Sequence, residues 1–215
     1  MDARDDSHIW GQQYSRKTSD IFALQGNLAK EMTSMLRMRL TSDDEKRMMK
    51  TYTANPEAYQ DYLKGRYWWS KRTMEGINKG IEYFQQAIAR DPGYALAYSG
   101  LADGYAVLPE YGFVTPKEGF PKARDAALKA LELDETLAEA HTSLGNIKEV
   151  YDWDWPGAEK EFQRAIELDP TYATAHQWYE VSRSSSGPWN LTRYRSSLIG
   201  NWQQHLSTVR GGTIR

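Results

Sequence analysis

Ala87-Ile88-Ala89-Arg90-Asp91-Pro92 returns as Ala130-Leu131-Glu132-Leu133-Asp134-Glu135 and again as Ala165-Ile166-Glu167-Leu168-Asp169-Pro170. Each copy opens onto a similar run: Tyr94 to Tyr98, Leu137 to His141, and Tyr172 to His176. Such self-similarity marks one supersecondary unit built several times and stacked on itself. Working outward, Gly80, Ala123 or Ala158 stands seven residues before the block's alanine, and Phe84, Ala127 or Phe162 three before it. That spacing lines one helical face. Small residues there let a second helix press close.

The step from the block's alanine to the alanine of the next unit is ten residues each time, 87 to 97, 130 to 140 and 165 to 175. The interval inside the unit varies: Ala58 to Gly80 is 22 residues, Ala97 to Ala123 is 26, and Ala140 to Ala158 is 18. One elastic turn and one invariant junction per unit predict helix pairs whose inner turn can grow while their stacking stays fixed.

These positions resemble the tetratricopeptide repeat family. The shared features are an aromatic residue or His early in the first helix (Tyr59, Tyr98, His141, His176), then Leu101-Ala102 or Leu144-Gly145, the small and aromatic positions of the second helix, and a closing Pro92 or Pro170. The resemblance covers residues 55–181, three repeats and the start of a fourth. It implies an all-α fold, a right-handed solenoid of stacked antiparallel helix pairs. The first unit departs by carrying Leu63 where a small residue is usual. The first two units, 39 and 43 residues long, also exceed the family's repeat of about 34, which the third nearly matches at 35.

Composition agrees with a globular chain: 215 residues, 40% hydrophobic, enough for a sizeable core. A net charge of −2 gives no broad basic field for nucleic acid or a membrane surface. Cysteine is absent, which removes disulfides, thiolate metal sites and thiol nucleophiles and fits a cytoplasmic chain. No apolar run reaches 18 residues, so membrane insertion is not expected.

Residues 1–53 form a separate segment. His8 to Tyr14 alternates loosely, as an edge strand does. Thr18 to Asp20 offer a cap for an amphipathic helix through Ile21, Leu24, Leu28, Met32, Met35 and Leu36, and Thr41 caps a shorter helix to Tyr52. The string from Ile9-Trp10 through Tyr14 to Asp20-Ile21-Phe22-Ala23-Leu24-Gln25 resembles the end of the TolB-like domain that precedes tetratricopeptide repeats in bacterial signalling proteins. That resemblance implies a kinase or winged-helix DNA-binding domain further upstream. The repeat domain spans 54–181. Ser182 to Pro188 then reads as a helix stop and linker, and 182–215 as linker plus either a terminal helix, from Leu191 to Leu206, or a disordered tail.

A search for chemistry finds no phosphate loop, nucleophile elbow or metalloprotease motif, and no cofactor is expected. His141 and His176 lie one repeat apart; helix packing suits them better than metal ligation, since they stand where Tyr59 and Tyr98 stand in the other units. The carboxylates of Asp152-Trp153-Asp154-Trp155 suit a hard cation, but without the other oxygen donors of a calcium loop Asp154 reads as a helix cap. Arg66 to Arg72 mixes aromatics and cations as single-strand nucleic-acid sites do; in a net-acidic chain it reads as turn packing, with no nucleic acid bound directly.

What remains is the surface that stacking creates. Its concave side is lined by first helices and forms a groove for an extended peptide or a partner helix. The resemblance places groove positions on a 3-4-3 spacing: Glu57, Gln60, Lys64 and Tyr67; Leu96, Ser99, Asp103 and Ala106; Glu139, Thr142, Asn146 and Glu149. The candidate partner site is Gln60, Lys64, Tyr67, Ser99, Asp103, Thr142, Asn146 and Glu149, with Asp103 and Asn146 expected to be exposed. Lys64 is its only cation, so a partner of some basic character fits. Two functions stay open: a non-catalytic protein- or peptide-binding scaffold, the regulatory or sensory part of a bacterial signalling or transcription-regulating protein, and a small-molecule-binding or enzymatic domain using a pocket at the long inner turns.

Overall fold

A computed structural model of the chain describes residues 52–185, together with Leu28. The expected edge strand, the two helices before residue 52, the TolB-like string and the terminal helix lie outside the described residues. The chain divides into two compact units, 1–56 and 57–215, and the helix pairs occupy the second.

Seven helices follow one another among the described residues: α1 Pro56–Trp69, α2 Met74–Arg90, α3 Ala95–Glu110, α4 Pro116–Leu133, α5 Ala138–Ile147, α6 Trp155–Leu168 and α7 Ala173–Ser185. α5 widens at its end into a single π-turn, Lys148–Asp152. Each second helix begins on a side-chain cap that satisfies amide groups left over at a helix start. Thr73 Oγ1 accepts from the Gly76 N–H at 3.0 Å, and Asp154 Oδ1 from the Gly157 N–H at 3.0 Å. At α4 the expected capping box forms, the Glu118 carboxylate accepting from the Thr115 N–H at 2.9 Å.

The invariant junctions have a common construction. Asp91, Asp134 and Asp169 each end a second helix. Their Oδ1 atoms accept from the N–H two residues on, at Gly93, Thr136 and Thr171, at 3.0, 3.0 and 2.9 Å. Their carbonyls accept from the N–H of Tyr94, Leu137 and Tyr172. A side chain that closes its own turn fixes the number of residues in it. The ten-residue step follows.

Packing then stacks the units. Within the second and third units α3 lies on α4 and α5 on α6; between units α2 packs on α3, α4 on α5 and α6 on α7. First helices also touch in succession, α3 to α5 and α5 to α7. The result is an all-α solenoid of antiparallel helix pairs, three pairs and the first helix of a fourth. Ala87, Ala123, Ala130, Ala158, Ala165, Phe84 and Phe162 are all fully buried, as their register predicts. Each buried phenylalanine contributes roughly 1.5–3 kcal/mol through its apolar surface.

Helices approach most closely where a ring meets a glycine. A Cβ at Gly145 would come within 2.7 Å of the Phe162 ring. In the first pair Gly65 plays this part, since a Cβ there would come within 2.6 Å of the Phe84 ring. Leu63, at the position expected to be small, is 44% exposed. Ala58 is fully buried like Ala97 and Ala140, so α1 starts in register, while its close approach to the Phe84 ring falls at Gly65 rather than at 63. At the other end α7 runs to Ser185, so Ser182, Ser184 and Ser185 lie in its last turns and the serine run does not stop the helix at 182.

Candidate polar groove on the first-helix face

The face formed by α1, α3, α5 and α7 carries three groups of polar side chains, each bonded from one first helix to the next. Arg66 of α1 donates from Nη1 to Asp103 Oδ2 of α3 at 3.0 Å. Ser143 of α5 donates to Asp103 Oδ1 at 2.7 Å. Further along, Asn146 Nδ2 of α5 donates to Glu110 Oε1 at 2.6 Å. Glu149, in the π-turn, accepts from the Ser182 hydroxyl of α7. Each helix of the face thus contributes to a network that crosses from repeat to repeat.

Burial sets the chemistry of these groups. Desolvation pushes the carboxyls of Asp103, Glu110 and Glu139 above their usual range. For Asp103 the Arg66 guanidinium and the Ser143 hydroxyl pull the other way. Glu149 is pushed up to about 7, chiefly by burial and also by the neighbouring Glu110, with the Ser182 bond opposing. For Arg66 burial acts downward most strongly, but the combined pull of Asp103, Tyr62 and Tyr172 outweighs it and holds the guanidinium charged. The face is therefore rich in carboxyl groups whose ionisation burial opposes.

The candidate residues on α3 and α5 fall on this face but are not exposed. Asp103 and Asn146 are 6% and 9% exposed, and Ser99, Thr142 and Glu149 are equally buried. The cause is packing between neighbouring first helices: Asp103, Asn146 and Glu149 bond across to them, Thr142 bonds back to the Ala138 carbonyl at 2.8 Å, and Ser99 is enclosed with its hydroxyl unpartnered. On α1 the pattern is displaced. Lys64 is exposed and pairs with Asp61 on its own helix at 3.1 Å, Tyr67 is exposed, and Gln60 is half-buried. The residues that turn inward are Arg66 and Tyr62, whose ring lies 5.4 Å from that of Tyr94. Beside Gln60 and Lys64, Tyr62 and Arg66 thus supply α1's contacts to α3 and to Tyr94.

The remaining motifs resolve into local contacts. His141 Nδ1 lies 2.7 Å from Glu161 Oε2, and its Nε2 lies 3.2 Å from the Glu135 carbonyl; Lys148 donates to the other oxygen of Glu161 at 2.6 Å. His176 makes the equivalent contact to the Pro170 carbonyl at 2.9 Å. Among the described residues no group of three or more His, Asp and Glu is placed to hold a metal ion. Asp152 pairs with Arg124, and Asp154 caps α6. In the basic aromatic run Arg72 lies 3.6 Å over the Trp69 ring and Lys71 4.3 Å over the Tyr67 ring, so these cations sit on the run's own aromatics. No helix of the described residues is long and apolar enough to cross a membrane.

No family model matches the chain. It is 26% identical over 146 residues to a Rhizobium meliloti protein named "Putative adenylate cyclase 3", covering 67% of this chain and 25% of that protein. It is 24% identical over 148 residues to the transcriptional regulator HilA of Salmonella typhimurium, covering 69% and 24%. The chain spans about a quarter of the length of these curated relatives. Among solved structures it is similar to the first TPR domain of human RPAP3, with TM-score 0.49 and 17% identity over 66% of this chain and 97% of that one. It is also similar to the TPR domain of Arabidopsis OM64, with TM-score 0.46 and 20% identity over 59% and 94%.

Proposed function

We infer that the chain is a non-catalytic protein- or peptide-binding scaffold whose binding face is the polar groove on α1, α3, α5 and α7. The observation that carries this reading is the cross-repeat network of Arg66, Asp103, Ser143, Asn146 and Glu110. Stacking of helix pairs is already accounted for by the alanine, glycine and phenylalanine contacts on the other faces. Burying polar and ionised groups is costly unless each finds a partner. A groove that keeps them is organised for recognition. Its balance of charge favours a partner with basic side chains.

The names of the similar proteins, an adenylate cyclase and a transcriptional regulator, support placing the scaffold in a bacterial signalling or transcription-regulating protein, as a regulatory or sensory part working in the cytoplasm. The test removes charge while keeping shape. Partner captured from the host should bind the double variant Asp103→Asn, Glu139→Gln at least tenfold more weakly than wild type. An exposed change on a second helix, Glu132→Gln, should leave the affinity unaltered. Equal binding by all three proteins would sink the groove assignment.

A further inference from the structure

Two polar side chains on the first-helix face are bonded to no other residue. Ser99 of α3 is 2% exposed, and its hydroxyl has no hydrogen-bond partner. Glu139 of α5 is half-buried; among the described residues its carboxylate joins no ion pair and accepts only from its own backbone N–H. The hydroxyl groups of α5 behave differently. Thr142 donates to the Ala138 carbonyl at 2.8 Å, and Ser143 lies 3.0 Å from the Glu139 carbonyl, each four residues back on its own helix. Ser99 does not close on α3 in this way, and a buried hydroxyl left unpaired is costly.

The register of α3 and α5 brings the two groups together. Ser143 meets Asp103 at 2.7 Å, and further along Asn146 meets Glu110 at 2.6 Å, so the two helices run side by side in the same direction. One turn before the first of these contacts, four residues back on each helix, Glu139 stands against Ser99. Charge points the same way. Asp103 and Glu139 share the neighbourhood of one cation, Arg66, whose guanidinium is taken up by Asp103 at 3.0 Å. Asp169 adds to the negative field at Glu139, and Tyr62 and Tyr172 both feel the Glu139 charge. A half-buried carboxylate with no cation of its own chain is complete only when one arrives from outside. The acceptors select which cation. A guanidinium pairs best with both oxygens of a free carboxylate through its planar fork, but here the Glu139 N–H already holds the carboxylate and the second acceptor is a hydroxyl on another helix. An ammonium is compact, carries three donors and meets both.

We propose that Ser99 and Glu139 anchor one lysine side chain of an extended partner peptide, its ammonium donating to the Glu139 carboxylate and to the Ser99 hydroxyl. The anchor rests on the first-helix face being the binding face and names the side chain that this face reads. The probe is an acetylated, amidated peptide with one lysine between two alanines on each side, titrated into the isotope-labelled full chain while the amide resonances of Ser99 and Glu139 are followed by NMR. Comparison peptides carry arginine or norleucine in place of the lysine, and n-butylammonium stands for a free amine. Wild type should bind the lysine peptide saturably, the arginine peptide and n-butylammonium several-fold more weakly, and the norleucine peptide not at all. Glu139→Gln should lower the affinity for the lysine peptide at least tenfold. Ser99→Ala, which leaves every charge in place, should lower it about three- to tenfold, the loss of one hydrogen bond. Glu132→Gln on α4 should change nothing, and the dispersion of the amide spectra checks that each variant is folded. Equal affinity for the lysine peptide and either comparison peptide, n-butylammonium binding as tightly as the lysine peptide, or an affinity that survives Glu139→Gln or Ser99→Ala would overturn the anchor. The groove itself is read separately, from the host-captured partner and Asp103→Asn alone: a partner weakened by that change keeps the groove even where the anchor fails.

Discussion

Glu149 shows how a single residue couples the groove to pH. Its carboxyl sits 7% exposed beside Glu110, with a hydroxyl from Ser182 as donor. Burial raises it from the ordinary 4.5 to about 7, so the folded state holds a proton that the unfolded state releases. By linkage, its contribution to stability is fully present below pH 4.5, declines as pH rises toward 7 and is gone above that. Thermal melts of wild type and Glu149→Gln should therefore differ in slope between about pH 4.5 and 7, with the variant flatter. Parallel curves would mean that Glu149 does not carry this proton. The junction aspartates make a different point at the same scale. Asp91, Asp134 and Asp169 stand out in the sequence as part of the recurring block, but their role as turn-closing acceptors is visible only in the hydrogen bonds.

At the scale of helices, the sequence pattern located the second and third pairs and misplaced the face of α1. Periodicity reports which residues share a face; it does not report which face a neighbour covers. For α3 and α5 the alanine junctions tie that face to the preceding unit, and Ser99, Asp103, Thr142 and Asn146 are buried there rather than exposed as expected for Asp103 and Asn146. α1 has no preceding copy of the block to anchor its register, and its inner interval of 22 residues is four longer than the third unit's 18. The close approach at Gly65 and the inward turn of Arg66 mark this shift. Gly65 was a recoverable signal, since a glycine within an amphipathic helix often marks a close approach. The inward turn of Arg66 was not recoverable, because its partner Asp103 lies 37 residues away. The shift makes a direct prediction. Arg66→Ala leaves Asp103 buried without its cation and should cost about 3–5 kcal/mol in chemical denaturation. Lys64→Ala removes an exposed cation but leaves buried Asp61 paired with Arg90 at 2.7 Å, and should cost about 0–1 kcal/mol. The opposite ranking would contradict the Arg66–Asp103 pair as the buried one.

For the molecule as a whole, stacking divides the work between faces. Alanine, glycine and phenylalanine hold helix to helix, polar side chains collect on the first-helix face, and aromatic pairs collect at the inner turns. The first of these was legible from spacing alone, because close packing requires small residues at fixed intervals. The second was legible as positions but not as a buried network, because hydrogen bonds between repeats leave no periodic trace. The central claim is that partners meet the chain on the first-helix face, and a photoreactive cross-linking residue tests it most directly. Placed at Glu139 of α5, on that face, it should yield covalent adducts with the native partner in host cells. Placed at Gln85 of α2, exposed on a second helix, it should yield none. Adducts from Gln85 with none from Glu139 would contradict the account.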